Sequence, residues 1–175
     1  MHWAGDARQM AGMPSGAANG LPNIGEALAA VLARIPRERQ PLLIALAERL
    51  AAVRYRGWAD AVGDDRRRAE LLACADREED IARRIEGLYP DAEAAQREMI
   101  AQNPDLEDIN RSLFADRPLA QQFALQAAGE RLGAATWRSF AKHTENAAAR
   151  ATFLTCAELE EASAVVLESL LASGT

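Results

Sequence analysis

Four glutamates at repeated positions are the residues of this chain whose type and spacing suit chemistry. Thirty positions separate Glu48 from Glu78, and the same number separates Glu130 from Glu160. Helical spacing places each of them in the middle of a stripe of apolar residues, as Ile44, Glu48 and Ala51 illustrate. The chemistry open to inward-facing carboxylates is divalent cation binding, ion pairing with arginine, or retention of a proton.

The magnitude of the burial cost narrows these choices. Burying an unpaired carboxylate costs several kcal/mol, whereas a whole domain is stable by only about 5–15 kcal/mol. Four unpaired carboxylates therefore cannot share a core, and they must bind a metal, pair with arginines, be protonated, or turn out to water. Arginines recur at matched positions, and we expect a glutamate–arginine network to be favoured over a metal site; the pairs are Arg49/Arg131, Arg56/Arg138 and Arg68/Arg150.

The glutamate spacing recurs because the chain contains an internal repeat. Residues 36–88 align without a gap with residues 118–170 at an offset of 82, and 20 of the 53 aligned pairs are identical. Matches such as Pro36 with Pro118 and Cys74 with Cys156 involve residues that are not common in helices, so helical composition alone does not explain them. We therefore expect the two segments to superpose to within about 3 Å, with Glu48 on Glu130.

Periodicity and helix-terminating residues predict an all-α chain. The predicted helices cover about residues 23–35, 36–62, 65–88, 91–102, 105–115, 118–142 and 146–172. Short connections within each unit make the long helices antiparallel neighbours, so the chain is predicted to form a four-helix bundle of two hairpins joined by a crossover. The repeat units are about 23–88 and 105–170, the linking helix is about 91–102, residues 1–22 form a flexible tail, and 23–175 form one domain.

This arrangement resembles the ferritin-like superfamily, in which duplicated helical hairpins form a bundle with a glutamate on each helix. The resemblance covers residues 36–170 and implies a metal site formed by Glu48, Glu78, Glu130 and Glu160. The Glu-x-x-His motif of that superfamily is missing, since Ile81 and Ser163 occupy the histidine positions and His143 lies at a helix end. A carboxylate-only site suits manganese, magnesium or calcium better than a di-iron centre, although the resemblance itself implies manganese or iron.

Two function classes remain open. The chain is expected to be a non-catalytic scaffold or binding protein that forms a homodimer through an alanine-rich helix face. The alternative is a metal-binding protein or oxidoreductase with a carboxylate-only site, so enzymatic activity is left undecided. Phosphate loops, nucleophile elbows, CxxC and HExxH motifs are absent from the sequence.

Composition limits the partners and the location. A net charge of −6 and a pI near 5.0 argue against nucleic acid. No apolar stretch reaches the length of a membrane span and no signal peptide is recognisable, so we expect a cytoplasmic protein. Cys74 and Cys156 are read as small buried residues that let helices approach, with a disulfide between the repeat units as the alternative.

Overall fold

The computed structural model describes residues 21–174, and every regular element in that range is helical. The predicted all-α class is confirmed. The α-helices are α1 (Ile24–Leu32), α2 (Gln40–Ala61), α3 (Asp65–Glu86), α4 (Ala92–Gln102), α5 (Leu106–Phe114), α6 (Leu119–His143) and α7 (Ala147–Ala172). Within the described range, none of these helices is both long and apolar enough to cross a membrane.

Matched residues begin the matched helices of the two repeat units. The side chain of Asp64 accepts a hydrogen bond from the backbone of Arg67 at the start of α3, and Asn146, 82 positions later, caps α7 in the same way. Pro36 and Pro118 have nearly the same extended backbone, with φ and ψ of −51° and 137° against −52° and 145°. Helix starts are therefore set by the same local chemistry in both units.

Several boundaries differ by a few residues from those predicted, since α1 ends at Leu32 and not near residue 35, and α3 ends at Glu86 and not near residue 88. A short 3-10 turn, Arg37–Arg39, follows Pro36, so α2 begins only at Gln40. Residues 1–20 of the predicted tail lie outside the described residues, while Leu21 packs against the core.

The long helices pair as α2 with α3 and α6 with α7, and α3 also packs against α7. Helices α1 and α5 contact each other, α1 also packs on α6, and α4 packs on α2. The buried apolar residues form two clusters, one around Trp137 and the other around Tyr55. On α2 the first cluster contributes Ala45 and the second contributes Ala52, with Glu48 midway between them.

The other long helices repeat this order, so the four glutamates occupy a polar layer between two apolar layers. The flanking residues are Ala75 and Ile81 around Glu78, Ala127 and Ala134 around Glu130, and Ala157 and Leu167 around Glu160. A layer of this kind has little access to water and must satisfy its polar groups internally.

Candidate metal centre

The glutamates predicted to face inward are all buried. The exposed fractions of Glu48, Glu78, Glu130 and Glu160 are 8%, 0%, 1% and 2%, which excludes solvated carboxylates. One carboxylate oxygen from each of Glu48, Glu78 and Glu160 lies within 4.8 Å of the other two. Glu130 is not part of this triad, but it adjoins the triad, since its charge acts on Glu160. The structure thus brings three of the predicted ligands together and places the fourth beside them.

Three neighbouring side chains orient the carboxylates of the triad and of Glu130. Ser163 Oγ donates to Glu78 Oε1 over 2.8 Å, and Trp137 Nε1 donates to Glu160 Oε1 over 2.8 Å. Tyr55 donates its hydroxyl proton to Glu130 Oε1 over 2.7 Å. Each of these donors engages one oxygen of its carboxylate and leaves the other oxygen available.

A relay from Arg54 fixes a further donor to Glu130. The guanidinium of Arg54 donates to Gln126 Oε1 over 2.8 Å and 3.1 Å, which turns the amide nitrogen of Gln126 towards Glu130. Gln126 Nε2 then donates to Glu130 Oε1 over 2.7 Å. Both donors to Glu130 therefore converge on the same oxygen.

Two buried carboxylate oxygens have no hydrogen-bond partner within the described residues, Glu78 Oε2 and Glu130 Oε2. An unsatisfied buried polar atom costs about 1–3 kcal/mol, and more where it is charged. Native proteins rarely keep such atoms, and an unplaced ion or water is a standard explanation. A cation bound by the triad through Glu78 Oε2 would satisfy that oxygen.

Space for the Glu160 carboxylate comes from a missing side chain on α6. A Cβ atom added to Gly133 would lie 2.5 Å from Oε1 and 2.7 Å from the carboxyl carbon of Glu160. These distances are far below van der Waals contact, so only glycine at position 133 lets Glu160 hold this orientation. Gly133 lies within a helix, where glycine lowers helix stability. This cost is offset by the room that it leaves for the Glu160 carboxylate.

The expected glutamate–arginine network is wrong. Among the described residues, five of the six arginines at repeated positions bind outer carboxylates, Arg150 donates to the backbone carbonyl oxygens of Ala141 and Thr144, and no ion pair includes one of the four inward glutamates. The outer pairs themselves recur at the 82-residue offset: Arg49–Glu86 at 2.5 Å and Arg131–Glu168 at 2.7 Å, then Arg56–Glu79 at 2.8 Å and Arg138–Glu161 at 2.7 Å. An arginine that is one residue before or after a buried helix position points away from the core. It therefore binds carboxylates on the outer surface of the protein.

Burial and mutual repulsion control the protonation of the triad. Burial, followed by the charge of Glu130, raises the pKa of Glu48 to about 8. Burial, with the charges of Glu130 and Glu48, raises the pKa of Glu78 well above its ordinary value. The pKa of Glu160 is raised for the same reasons, with Glu48 as the leading charge. Without a cation, burial and the neighbouring charges therefore favour the protonated form of each of these three carboxyl groups.

The other candidate reactive groups lie outside this chemistry. Cys74 and Cys156 are buried free thiols, and burial raises the pKa of each to about 12, so neither is a reactive thiolate. His143 is exposed in the last turn of α6, with Nδ1 2.7 Å from the carbonyl oxygen of Ser139. Ser163, at a position where the superfamily motif has histidine, is a hydrogen-bond donor to Glu78 instead.

Sequence reasoning missed the residues that orient the carboxylates. Tyr55 and Trp137 are buried aromatic residues of the core, yet each donates a hydrogen bond from its polar atom to a buried glutamate. The sequence did contain an indication of this role. A buried tyrosine hydroxyl or indole N–H needs a hydrogen-bond partner, and each of these residues lies seven positions, or two helical turns, after one of the four inward glutamates. Gln126 carried the same signal, one turn before Glu130.

Comparisons with protein-family models, with curated proteins and with solved structures find no match to this chain. The class of protein is therefore argued from the site alone.

Proposed function

We propose that this chain is a divalent-cation-binding protein of ferritin-like four-helix architecture. Its ligands are Glu48, Glu78 and Glu160, with Glu130 as an adjoining carboxylate. The two hairpins, the matched helix caps and the outer ion pairs repeated at the 82-residue offset support the duplicated architecture.

One observation carries the proposal. Three buried carboxylates converge within 4.8 Å without an arginine partner, and the adjoining layer contains two unpartnered carboxylate oxygens, Glu78 Oε2 and Glu130 Oε2. Oxygen-only donor sets suit Mn²⁺, Mg²⁺ and Ca²⁺, which are hard or borderline cations. With no imidazole among the donors, manganese is favoured over iron.

The chemistry that such an ion would supply is Lewis acidity and charge neutralisation at a buried site. The protein contributes the rest. Ser163 and Trp137 hold Glu78 and Glu160 in place through 2.8 Å hydrogen bonds, and an apolar cluster packs on each side of the carboxylates. An oxidoreductase activity would extend this proposal, and it requires that metal binding be demonstrated first.

The test is manganese binding by the full chain after chelator treatment and removal of the chelator. We expect calorimetric titration to show saturable Mn²⁺ binding, and thermal melts to show stabilisation of about 2.7 kcal/mol at a free ion concentration 100 times the Kd. Glu78→Gln should abolish both effects. Glu79→Gln is the matched control, because Glu79 is the next residue but binds Arg56 at the surface. Equal Mn²⁺ responses in the two variants would contradict the proposal.

The second candidate is the non-catalytic scaffold or binding protein, with the carboxyl groups protonated and hydrogen-bonded to one another. The burial of Glu48 favours it, since burial raises the pKa of that carboxyl group to about 8 and a protonated carboxyl group needs no cation. A homodimer belongs to this candidate, and Leu72 and Leu154, which are exposed at matched positions, would suit a dimer face. A manganese-insensitive protein that light scattering shows to be dimeric would support it. A cytoplasmic location remains a prediction under either candidate.

A further inference from the structure

A cavity of about 380 Å³ lies next to the carboxylate layer. Helices α1, α2, α5 and α6 supply most of its wall, and the wall is largely apolar, with Val31, Leu43, Leu106, Leu132 and Phe114 among its residues. Gly129 on α6 also lines the cavity and has no side chain to fill it. Ile100, half exposed at 50%, also lines the cavity, so one end reaches solvent. This volume and lining are typical of a small-molecule site.

The cavity also has a positively charged group on its wall. Arg54 lies with its guanidinium carbon 3.8 Å from the centre of the Phe114 ring. It donates to two neutral amide oxygens, over 2.9 Å to Asn110 and 2.8 Å to Gln126. None of the ion pairs among the described residues includes Arg54, although burial lowers its pKa only to about 10. A protonated guanidinium thus lines a ligand-sized space and donates only to neutral amide oxygens, while the carboxyl groups of Glu48 and Glu160 line the same space.

We propose that this cavity binds an amphiphilic monocarboxylic acid of medium chain length, with its carboxylate on Arg54 and its alkyl chain along the apolar wall. Guanidinium groups bind carboxylates through paired, charge-assisted hydrogen bonds, and Arg54 keeps N–H groups beyond those given to Asn110 and Gln126. The apolar wall supplies the hydrophobic contribution, which we expect to strengthen binding about fourfold for each added methylene until the cavity is filled.

Glu48 and Glu160 of the proposed cation site also line the cavity, so a bound ion would add charge close to Arg54. All binding measurements are therefore made in EDTA. A failed manganese test then leaves this proposal standing, and failed acid binding leaves the metal proposal standing.

The experiment compares decanoate with 1-decanol, which has the same chain and a neutral head. Wild type should bind decanoate about ten- to hundredfold more tightly, as expected for one charge-assisted contact. Arg54→Gln should remove that preference while 1-decanol still binds. Arg56→Gln is the matched control on the same helix, since Arg56 binds Glu79 at the surface. Equal binding of acid and alcohol by wild type would overturn the proposal, as would an equal loss in both variants.

A second pair of variants tests the location. Gly129→Leu should fill the cavity and weaken both ligands, whereas Gly57→Leu should not, because nothing lies within 4 Å of a Cβ atom at position 57. If Gly129→Leu fails to fold, amide hydrogen exchange of the wild type with and without decanoate tests the location of the site. We expect decanoate to slow exchange in α1 and α5. Unchanged exchange there would overturn the proposal. A second copy of the chain is the other possible occupant of the cavity. In that case the protein would be a dimer that decanoate does not dissociate, and this result would also overturn the proposal of a carboxylic acid ligand.

Discussion

Gly133 on α6 lies directly against the carboxylate of Glu160 on α7, with room for a hydrogen atom but not for a methyl group. A Cβ atom at position 133 would come within 2.8 Å of both carboxylate oxygens of Glu160. Glu160 belongs to the triad and is also bound by Trp137, so its position is constrained from two sides. The glycine therefore sets the geometry of a ligand on the neighbouring helix.

We expect Gly133→Ala to weaken manganese binding at least tenfold, because the added methyl group displaces Glu160 from the triad. Gly57→Ala serves as the control, since position 57 has open space around it and alanine there should stabilise the helix by about 0.5–1 kcal/mol. Calorimetric titration and thermal melts of both variants measure the two effects. Unchanged manganese affinity in Gly133→Ala would show that Glu160 is not a ligand.

Glu48→Gln should make the metal-free protein more stable, by about 1–3 kcal/mol at pH 7, because it removes a buried acid whose ionisation is unfavourable. The arginine network expected from the sequence would give the opposite sign, since an arginine would lose its partner. Denaturant unfolding in EDTA measures the change. Glu79→Gln, at an exposed ion pair, should change stability by no more than about 1 kcal/mol. A Glu48→Gln protein destabilised by about 3–5 kcal/mol would point back to a buried positive partner.

The stability of the metal-free protein should decrease as the pH rises from 5 to 8. The pKa of Glu48 is about 8 in the folded chain and 4.5 by default, so the folded state holds a proton that the unfolded state releases. This stabilisation is complete below the unfolded pKa and is lost as the pH passes through the folded pKa. Each such proton contributes a slope of about 1.4 kcal/mol per pH unit.

Glu78 and Glu160, whose pKa values are also raised, add to the same trend. Urea unfolding in EDTA across this pH range measures the slope, and Glu48→Gln should reduce it. Saturating Mn²⁺ should remove this pH dependence, because the metal-bound folded state and the unfolded state both hold these carboxylates deprotonated in this range. A metal-free stability that rises between pH 5 and 8 would contradict the raised pKa values.

The repeated outer ion pairs should differ in strength although they occupy matched positions. In the Arg131–Glu168 pair both side chains are exposed, by 44% and 47%, whereas Glu86 in the Arg49–Glu86 pair is only 20% exposed. Gln96 also donates to Glu86, over 3.3 Å. Double-mutant cycles with alanine should give a coupling of about 0.5 kcal/mol or less for the exposed pair and about 1 kcal/mol for the other. Equal couplings would mean that burial does not matter here.

Helix positions were predictable from the sequence because their signals are local. Asn23, Asp64 and Asn146 cap the N-termini of α1, α3 and α7, because their side chains accept hydrogen bonds from the first backbone N–H groups. Gly87 follows the last residue of α3. The inward orientation of the glutamates was also predictable, since it follows from helical period alone. The expected superposition of 36–88 on 118–170 remains a prediction.

The partners of the glutamates were not predictable, because they depend on contacts between helices. Arginines follow the seam glutamates in sequence, yet Arg49 and Arg131 bind carboxylates 37 residues further along on the next helix. Tyr55 reaches Glu130 across 75 residues, and Ser163 reaches Glu78 across 85. Helix period fixes the direction of a side chain but not the atom that it meets.

The protonated triad gives metal binding an unusual charge balance. Where Glu48, Glu78 and Glu160 each hold a proton before the ion arrives, loading a divalent cation releases up to three protons and adds two positive charges. The net charge of the molecule then changes by about one unit, so electrophoresis and ion exchange would hardly separate the loaded and empty forms. Calorimetry would separate them readily, because the released protons are taken up by the buffer and the observed heat follows the buffer's own enthalpy of ionisation.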